Sequence, residues 1–338
     1  MRVFIDAYLF NNLGDDLFVD MLLHRYPDVY FSVISHFYQK ECNNVTVYHN
    51  KYLNKIRKKT PLYKRIIDKC DMSISIGGSM YIETEGTGKY PYLGENYYIS
   101  GANFGPYITE EYYQKGREFF RKAKDVCFRD NYSYQLFQDL PNVRKAPDIL
   151  WGLDVSDITI TNRKRVIFSI ISYEQKVGEG YKDNYEKLIL NWINFFHQKG
   201  YEICLMSFCK IQGDEWKIEK IKQKCKIPVE TYYYRGNRKE ALSVLADSQI
   251  IVGTRFHANI LGMLLGKTVL PIAYMDKTIH MLEDMQYEGK IVQISSSKND
   301  DIDFYLTEED LKRKQKIDTL KKEATKQWDM LDKKLKRK

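Results

Sequence analysis

Short runs of apolar and β-branched residues alternate along the chain with segments whose apolar positions recur every three or four residues. Runs of the first kind are typical of buried strands, and segments of the second kind are typical of helices. In the first half, the pattern predicts strands at 2–6, 29–34, 72–76, 97–102 and 126–128, and helices at 15–25, 53–70 and 110–123. In the second half, it predicts strands at 165–171, 202–207, 249–252 and 268–273, and helices at 184–197, 215–225, 239–247 and 256–265. This alternation predicts an α/β protein with parallel sheets covered by helices.

The chain has 338 residues, about twice the ~150 residues expected of one domain. A polar stretch at 151–163 separates the two halves of the pattern. We therefore predict two Rossmann-like domains facing a crevice, an N-terminal one at 1–155 and a C-terminal one at 156–300. A basic segment at 301–338 follows them.

The last part of the chain carries the net charge. The whole sequence has a formal charge of +8, and residues 311–338 alone hold twelve Lys or Arg against four Asp or Glu, so residues 1–310 are neutral. Apolar residues from Leu311 to Leu335 recur on one face, which predicts a long, basic, amphipathic C-terminal helix. Two interpretations stay open: the helix docks on the body with a solvated basic face, or that face is also drawn to an anionic membrane surface. Because the body is neutral and has no nucleic-acid-binding motif, a nucleic-acid partner is not expected.

The sequence shows neither a signal peptide nor an apolar run long enough to span a bilayer. These features predict a cytoplasmic protein. If the tail binds lipid, the protein would be peripheral on the inner face of the membrane. Its six cysteines lack paired spacing and its six histidines are scattered. Free thiols and no metal site are therefore predicted. No Walker motif or dinucleotide fingerprint occurs, and no cofactor is expected.

Ligands of such folds bind at the carboxyl ends of the strands, so the loops directly after predicted strands are the candidates for chemistry. The first such loop contains Asn12, Gly14 and Asp15, where a glycine turn and a helix N-terminus suit either a polar ligand or a plain capped turn. A later loop, Gly77-Gly78-Ser79, lets the backbone approach a ligand closely.

Basic residues follow three further strands. Arg129 precedes Asp130, which could fix its guanidinium for gripping a carboxylate or phosphate, although a structural Arg-Asp pair explains the sequence too. Arg255 and His257 stand two residues apart at a strand-to-helix turn, where a cation can hold an anion while the imidazole exchanges a proton. Lys277 follows the last predicted strand and would add charge there, unless it is an ordinary surface lysine.

Together with these loops, several motifs resemble the polysaccharide pyruvyltransferase family over about residues 2–285. They are NNLGDD, SIGGS, the GANFGP turn that contains Asn103, FRDNYS, APD, and the stretch from GTRFHANILGMLLGK to YMDK. The last stretch is the most specific. The resemblance implies a fold of two Rossmann-like domains, like that of the B-type glycosyltransferases.

The family resemblance implies phosphoenolpyruvate as donor and a hexose of a glycan or lipid-linked saccharide as acceptor. The product would be a cyclic pyruvate ketal, with release of phosphate and no cofactor. Donor binding would fall on Arg129, Arg255 and Lys277, and His257 would be the general acid that protonates the enol carbon. The second domain would be the donor side and the first the acceptor side.

Two alternatives stay open. A glycosyltransferase of the same architecture could place the phosphates of a nucleotide sugar in the same crevice, and the product would distinguish it. A non-catalytic adaptor acting through the basic tail would leave Arg129, Arg255 and His257 without a role.

Overall fold

The computed structural model describes residues 1–40, 42–49, 61–83, 88–172, 182–294 and 306–336. The chain divides into two compact units. The first unit contains Met1–Phe10, Asp15–Gly152 and Thr319–Lys338, and the second contains Asn11–Gly14 and Leu153–Asp318. The first unit is therefore built from both ends of the chain.

The first unit is a seven-stranded sheet with helices. Its strands are β1 (Arg2–Asp6), β2 (Tyr30–Ile34), β3 (Val45–Tyr48), β4 (Met72–Ile76), β5 (Tyr97–Ala102), β6 (Asp125–Phe128) and β7 (Val143–Lys145). Its helices are α1 (Leu13–Arg25), whose first two residues group with the second unit, α2 (Pro61–Ile67), α3 (Glu110–Lys122) and α4 (Asn131–Phe137), with a 3-10 turn at Ile149–Gly152. The strand order is β3-β2-β1-β4-β5-β6-β7, and all pairs are parallel.

The second unit is a six-stranded sheet of the same kind. Its strands are β8 (Arg165–Ile170), β9 (Glu202–Ser207), β10 (Glu230–Tyr233), β11 (Ile250–Gly253), β12 (Thr268–Ala273) and β13 (Val292–Gln293). Its helices are α5 (Lys182–Gln198), α6 (Asp214–Lys224), α7 (Arg238–Ala246), α8 (Phe256–Leu264) and α9 (Asp276–Asp284), with a 3-10 turn at Lys210–Gln212. The order is β10-β9-β8-β11-β12-β13, again all parallel.

Burial explains why these segments are strands. Strands β4, β5, β6, β8, β11 and β12 are buried at every position, as expected for parallel strands with both faces covered. In the first unit, aromatic rings fill one side of the sheet, with Phe120 in contact with Phe104, Phe128 and Phe137 at centroid distances of 4.9 to 6.0 Å. Each sheet is thus fixed by packing, and its carboxyl end positions the loops that carry the candidate residues of that unit.

The tail differs from the single long helix that the sequence predicts. Residues 318–335 form α10 (Asp318–Ala324), a 3-10 turn at Thr325–Trp328, and α11 (Asp329–Leu335). Leu311 lies in a turn and packs in the core of the second unit. Thr307 and Asp310 bond each other's backbone N–H groups in the manner of a helix N-terminal capping box, and a single turn follows them. Trp328 and Leu331 are buried in the first unit, so this part of the tail docks by its apolar face.

Some of the remaining sequence-based predictions are confirmed by the structure, and others differ from it. The α/β class with two parallel sheets is confirmed. The apolar pattern misses the four short edge strands, β3, β7, β10 and β13. The helix predicted at 53–70 is reduced to α2 in the described residues, and positions 53–60 lie outside them. Across the described ranges, no helix combines the length and the apolar character needed to cross a bilayer. All six cysteines are free thiols.

Candidate active site

Arg129 directly follows β6 and is held by two polar side chains from neighbouring strand ends. Its Nη1 donates to Asp148 at 2.8 Å, and its Nη2 donates to the amide oxygen of Asn103 at 2.7 Å. The side chains of Arg129 and Asp148 are only 3% and 2% exposed. We call these three residues the Arg129 clamp. A buried guanidinium fixed in this way presents a preorganised positive charge.

The partner of Arg129 is not the one that the sequence suggests. Asp130 instead caps α4, since its carboxylate accepts the N–H of Ser133 at 2.7 Å. The ion pair instead joins positions nineteen residues apart, Arg129 and Asp148. Burial raises the pKa of Asp148, although the charge of Arg129 acts against that shift.

The glycine loop after β4 lies against the clamp. A Cβ on Gly78 would come within 2.2 Å of Arg129 Nη1, so only glycine fits there without moving the guanidinium. The carbonyl of Gly78 accepts the backbone N–H of Asn103 at 2.9 Å, and the Ser79 hydroxyl lies 3.3 Å from the Asn103 amide oxygen. The loop residues predicted from the sequence are thus assembled with Arg129 in the first unit.

Asp15 and Gly77 are neighbours in the same unit. Asp15 is buried in the first turn of α1, and its carboxylate lies 3.4 Å from where a Cβ on Gly77 would stand. Gly77 has φ +137°, a conformation that side chains rarely adopt. A buried carboxylate and a turn whose backbone conformation favours glycine therefore lie at the carboxyl ends of β1 and β4.

In the second unit, the turn from β11 into α8 has a fixed shape. The Ser169 hydroxyl accepts the backbone N–H groups of Thr254 and Arg255 at 2.9 and 3.1 Å. A Cβ on Gly253 would lie 1.9 Å from the amide oxygen of Asn259, which explains glycine at this position. We call residues 253–257 the α8 turn. Arg255 is the N-cap residue of α8 but makes no side-chain cap, so its guanidinium is directed to other partners.

The guanidinium of Arg255 is bound by a buried carboxylate. Its Nε donates to Asp214 at 3.1 Å, its Nη2 donates to the other oxygen of the same carboxylate, and its Nη1 donates to Gln212. Burial disfavours the charge of Arg255, but Asp214 outweighs that effect and raises the Arg255 pKa. These bonds use three of the five N–H groups, so two remain for an anionic ligand among the described contacts.

His257, the second residue of α8, lies against the loop after β1. A Cβ on Gly14 would stand 1.7 Å from His257 Nδ1, so Gly14 lets the imidazole approach the backbone. Asn12 shapes this loop by accepting the N–H of Gly14 at 3.2 Å. The loop is anchored to the second unit because Leu13 donates its N–H to the carbonyl of Phe208 at 3.1 Å.

Lys277 is half-buried in the first turn of α9, directly after β12. It therefore belongs to the same sheet edge as the α8 turn. Two buried hydroxyls at this edge, Ser172 Oγ after β8 and Thr278 Oγ1 in α9, have no hydrogen-bond partner among the described residues. This sheet edge thus combines basic side chains with two hydroxyls that have no partner among the described residues. Such a combination is expected of a site that binds a phosphate or a carboxylate.

A family model for polysaccharide pyruvyl transferases matches residues 12–277, more than three quarters of the chain. The chain belongs to this family. The match includes the Arg129 clamp, the α8 turn and Lys277, so every site residue predicted above lies within the span of this pyruvyl transferase model. None of the curated proteins matches the chain.

Solved structures show which fold this chain shares. WaaG, a glycosyltransferase involved in lipopolysaccharide biosynthesis, is similar with a TM-score of 0.50 and 11% identity, over 99% of this chain and 92% of WaaG. The wall teichoic acid polymerase TagF is similar with a TM-score of 0.52 and 11% identity, over 99% of this chain and 88% of the TagF chain. At this identity the likeness shows the fold alone, and it confirms the expected B-type glycosyltransferase architecture.

The sequence alone missed two carboxylates that support the candidate site residues. Asp214 is fully buried and also accepts the backbone N–H groups of Phe208 and Cys209, at 3.0 and 2.9 Å. Its signal was an acidic residue opening a helix directly after Gly213, which has φ 81°. Asp148 stood in the APD motif, but nothing local connected it with Arg129. Within the described ranges, His, Cys, Asp and Glu form no group of three that could hold a metal ion.

Proposed function

We propose that this pyruvyl transferase moves the pyruvyl group of phosphoenolpyruvate onto two hydroxyls of a hexose in a glycan or lipid-linked precursor. The observation that carries the proposal is the α8 turn, where the imidazole of His257 stands two residues from a buried guanidinium locked by Asp214. This pairing suits a substrate that is anionic and must be protonated. Membership of the family supports pyruvyl transfer as the reaction.

The donor carries both a carboxylate and a phosphate, so it needs several cations. Arg255 offers two N–H groups beyond those that Asp214 and Gln212 use, and Lys277 adds a positive charge at the same sheet edge. Arg129, fixed by Asp148, is the third donor-binding residue of the proposal. Arginines fixed by buried carboxylates need no reorganisation when the charge of the transition state develops.

The reaction balances with one general acid. His257 donates a proton to the methylene carbon of the enol phosphate, and the carbon bearing the phosphate becomes an oxocarbenium centre. One acceptor hydroxyl attacks that carbon and gives up its proton, the C–O bond to phosphate breaks, and the second hydroxyl closes the ring. Phosphate leaves with one of the two hydroxyl protons, while the other restores His257.

The direct test is incubation of the purified protein with phosphoenolpyruvate and a panel of lipid-linked saccharides. We expect inorganic phosphate to be released and the acceptor to gain the mass of a carboxyethylidene group. An acceptor that instead gains a sugar from a nucleotide sugar would establish the glycosyltransferase alternative. Absence of both phosphate release and acceptor modification across the panel would refute the proposal.

The role of His257 is tested by His257→Gln. We expect kcat to fall ~10²-fold or more, the usual scale for losing a general acid, with donor binding retained. His197→Gln is the matched control, because His197 is an exposed histidine at the end of α5 in the same unit. Turnover of the His257 variant equal to that of this control would remove His257 from the mechanism.

We further propose that the docked tail presents its lysines to anionic lipid, where lipid-linked acceptors reside. Nine lysines of the tail are exposed: Lys312, Lys314, Lys316, Lys321, Lys322, Lys326, Lys333, Lys334 and Lys336. Arg337 and Lys338 lie outside the described residues. An electrostatic contact of this kind weakens with salt, since the Debye length falls from ~10 Å at 0.1 M to ~3 Å at 1 M.

Co-sedimentation with anionic vesicles tests this proposal. We expect binding at 0.1 M salt that is lost at 1 M, and a marked reduction at low salt when Lys333, Lys334 and Lys336 become glutamine. The control removes equal charge from another exposed surface, by changing Lys115, Lys122 and Lys124. Equal binding of the two triple variants would leave the tail as a structural element only.

A further inference from the structure

Gln327 is a polar residue buried completely in the docked tail. It lies in the 3-10 turn at Thr325–Trp328. The oxygen of its side-chain amide accepts the N–H of Gly101 at 2.9 Å and the hydroxyl of Ser100 at 3.2 Å. The nitrogen donates to the carbonyls of Ala146 at 2.8 Å and Pro147 at 3.1 Å. Both ends of the amide are therefore fully engaged with backbone or hydroxyl groups.

Each of these contacts lies close in sequence to a member of the Arg129 clamp. Gly101 precedes Asn103 by two residues, and Pro147 directly precedes Asp148. The Gln327 nitrogen also lies 3.4 Å from the carbonyl of Phe128, the residue before Arg129. One amide thus connects the three strand ends that hold the three members of the clamp.

The backbone of the same turn is held as well. Arg144 donates to the Gln327 carbonyl at 3.1 Å, and its Nε and Nη2 bond the Asp125 carboxylate at 2.8 Å each. Burial disfavours the charge of Arg144, but Asp125 outweighs that effect and raises the Arg144 pKa. Gln327 therefore has little freedom to move away from the strand ends.

We propose that Gln327 is a positioning residue that sets the geometry of the Arg129 clamp and, through it, the affinity for the anionic donor. Identifying that donor as phosphoenolpyruvate rests on the proposed function. Packing alone would not need an amide, because Ala324, Trp328 and Leu331 on the same tail are buried and apolar. A buried amide that satisfies four polar groups instead defines one arrangement of the loops around it. Gln327 lies fifty residues beyond the end of the family match at residue 277.

Two substitutions separate positioning from packing. Gln327→Met keeps the volume but leaves the Gly101 N–H and the two carbonyls unsatisfied. Gln327→Glu keeps the acceptor oxygen, and only its protonated form can donate to the carbonyls. Asp332→Asn is the matched control: Asp332 binds Arg25 and Tyr26 and also fixes the tail, but has no contact with the clamp among the described residues.

For Gln327→Met, we expect the KM for phosphoenolpyruvate to rise about tenfold or more with kcat within about threefold, because small misplacements of a binding group are costly. For Gln327→Glu, we expect the same defect at pH 8 and partial recovery as the pH is lowered towards 5. Asp332→Asn should leave KM unchanged even if its Tm falls. A Gln327→Met variant whose Tm falls while its KM stays like that of the control would overturn the proposal.

Hydrogen exchange provides a readout that needs no donor. We expect faster exchange at residues 100–103 and 148–150 in Gln327→Met, and wild-type rates there in Asp332→Asn. If the wild type releases no phosphate from phosphoenolpyruvate, the proposed function fails, and this comparison still decides the role of Gln327. Unchanged exchange at both segments would show that Gln327 does not position the clamp.

Discussion

Replacing Gly78 by alanine adds one carbon atom beside the guanidinium of Arg129. The new Cβ would stand 2.2 Å from Nη1, 2.4 Å from Cζ and 2.5 Å from Nη2, whereas ordinary contacts begin at 3.4 Å. The φ of Gly78 lies outside the left-handed region, so the backbone itself accepts alanine. The effect of the substitution is therefore the displacement of the guanidinium, by at least about 1 Å.

A shift of that size breaks the bonds that hold Arg129. They are 2.8 Å to Asp148 and 2.7 Å to Asn103, and they lengthen beyond hydrogen-bonding distance when the guanidinium moves about 1 Å away. Hydrogen bonds to charged groups contribute ~1.5–3 kcal/mol each. Since the pair is buried, we expect the free energy of unfolding to fall by about 2–4 kcal/mol. A donor-binding group displaced by ~1 Å should lower kcat/KM ~10²-fold.

The assay combines urea denaturation with steady-state kinetics for phosphoenolpyruvate. Gly152→Ala is the matched control, because a Cβ on Gly152 would meet its nearest neighbour, Met21 Cε, at an ordinary 3.8 Å. It should leave both measurements close to those of the wild type. If Gly78→Ala matches this control in stability and in kcat/KM, the close packing of Gly78 on Arg129 is not what fixes the clamp.

Two further predictions concern buried charged residues. One is a substitution of Asp214, and the other is a titration of Lys267. Asp214→Asn leaves the buried Arg255 without its carboxylate, so urea denaturation should show a loss of about 3 kcal/mol or more; a loss below about 1 kcal/mol would contradict this. Lys267 donates to two backbone carbonyls at 2.6 Å, and burial lowers its pKa to about 8. Because the folded state then releases this proton before the unfolded state does, the contribution of Lys267 to stability should rise as the pH increases from about 8 towards 10.5. In a carbon-13 titration of labelled lysines, Lys267 should have a midpoint near pH 8. A midpoint above about pH 10, like that of exposed lysines, would show that the pKa of Lys267 is not lowered.

The sequence predicts those parts of this protein that depend on local pattern. Buried parallel strands appear as continuous apolar runs, so the positions of their carboxyl ends can be read from the sequence itself. That is why Arg129, Arg255, His257 and the Gly77-Gly78 loop could be selected from position alone. Their predicted roles in donor binding and acid catalysis remain predictions until the kinetic tests above are made.

Contacts between distant segments could not be predicted in this way. Asp130 is adjacent to Arg129 and is the natural partner by sequence, yet a helix cap satisfies it and Asp148 forms the ion pair. Gln327 does carry a signal in the sequence, because it is a polar residue three positions after Ala324 and four before Leu331, on the apolar face of the tail. A polar side chain on an otherwise buried face indicates a specific hydrogen-bonding partner.

The origin of the first unit from both ends of the chain has a consequence for its synthesis. The strands β1 to β7 leave the ribosome before Leu153, but Thr319–Lys338 belongs to the same compact unit and is made after the second unit. At ~5–20 residues per second, about 9–35 s separate Gly152 from Gln327. Throughout that interval the Ala146 and Pro147 carbonyls lack the amide that binds them in the finished protein. The nascent first unit therefore completes its folding only after the second unit has been synthesised.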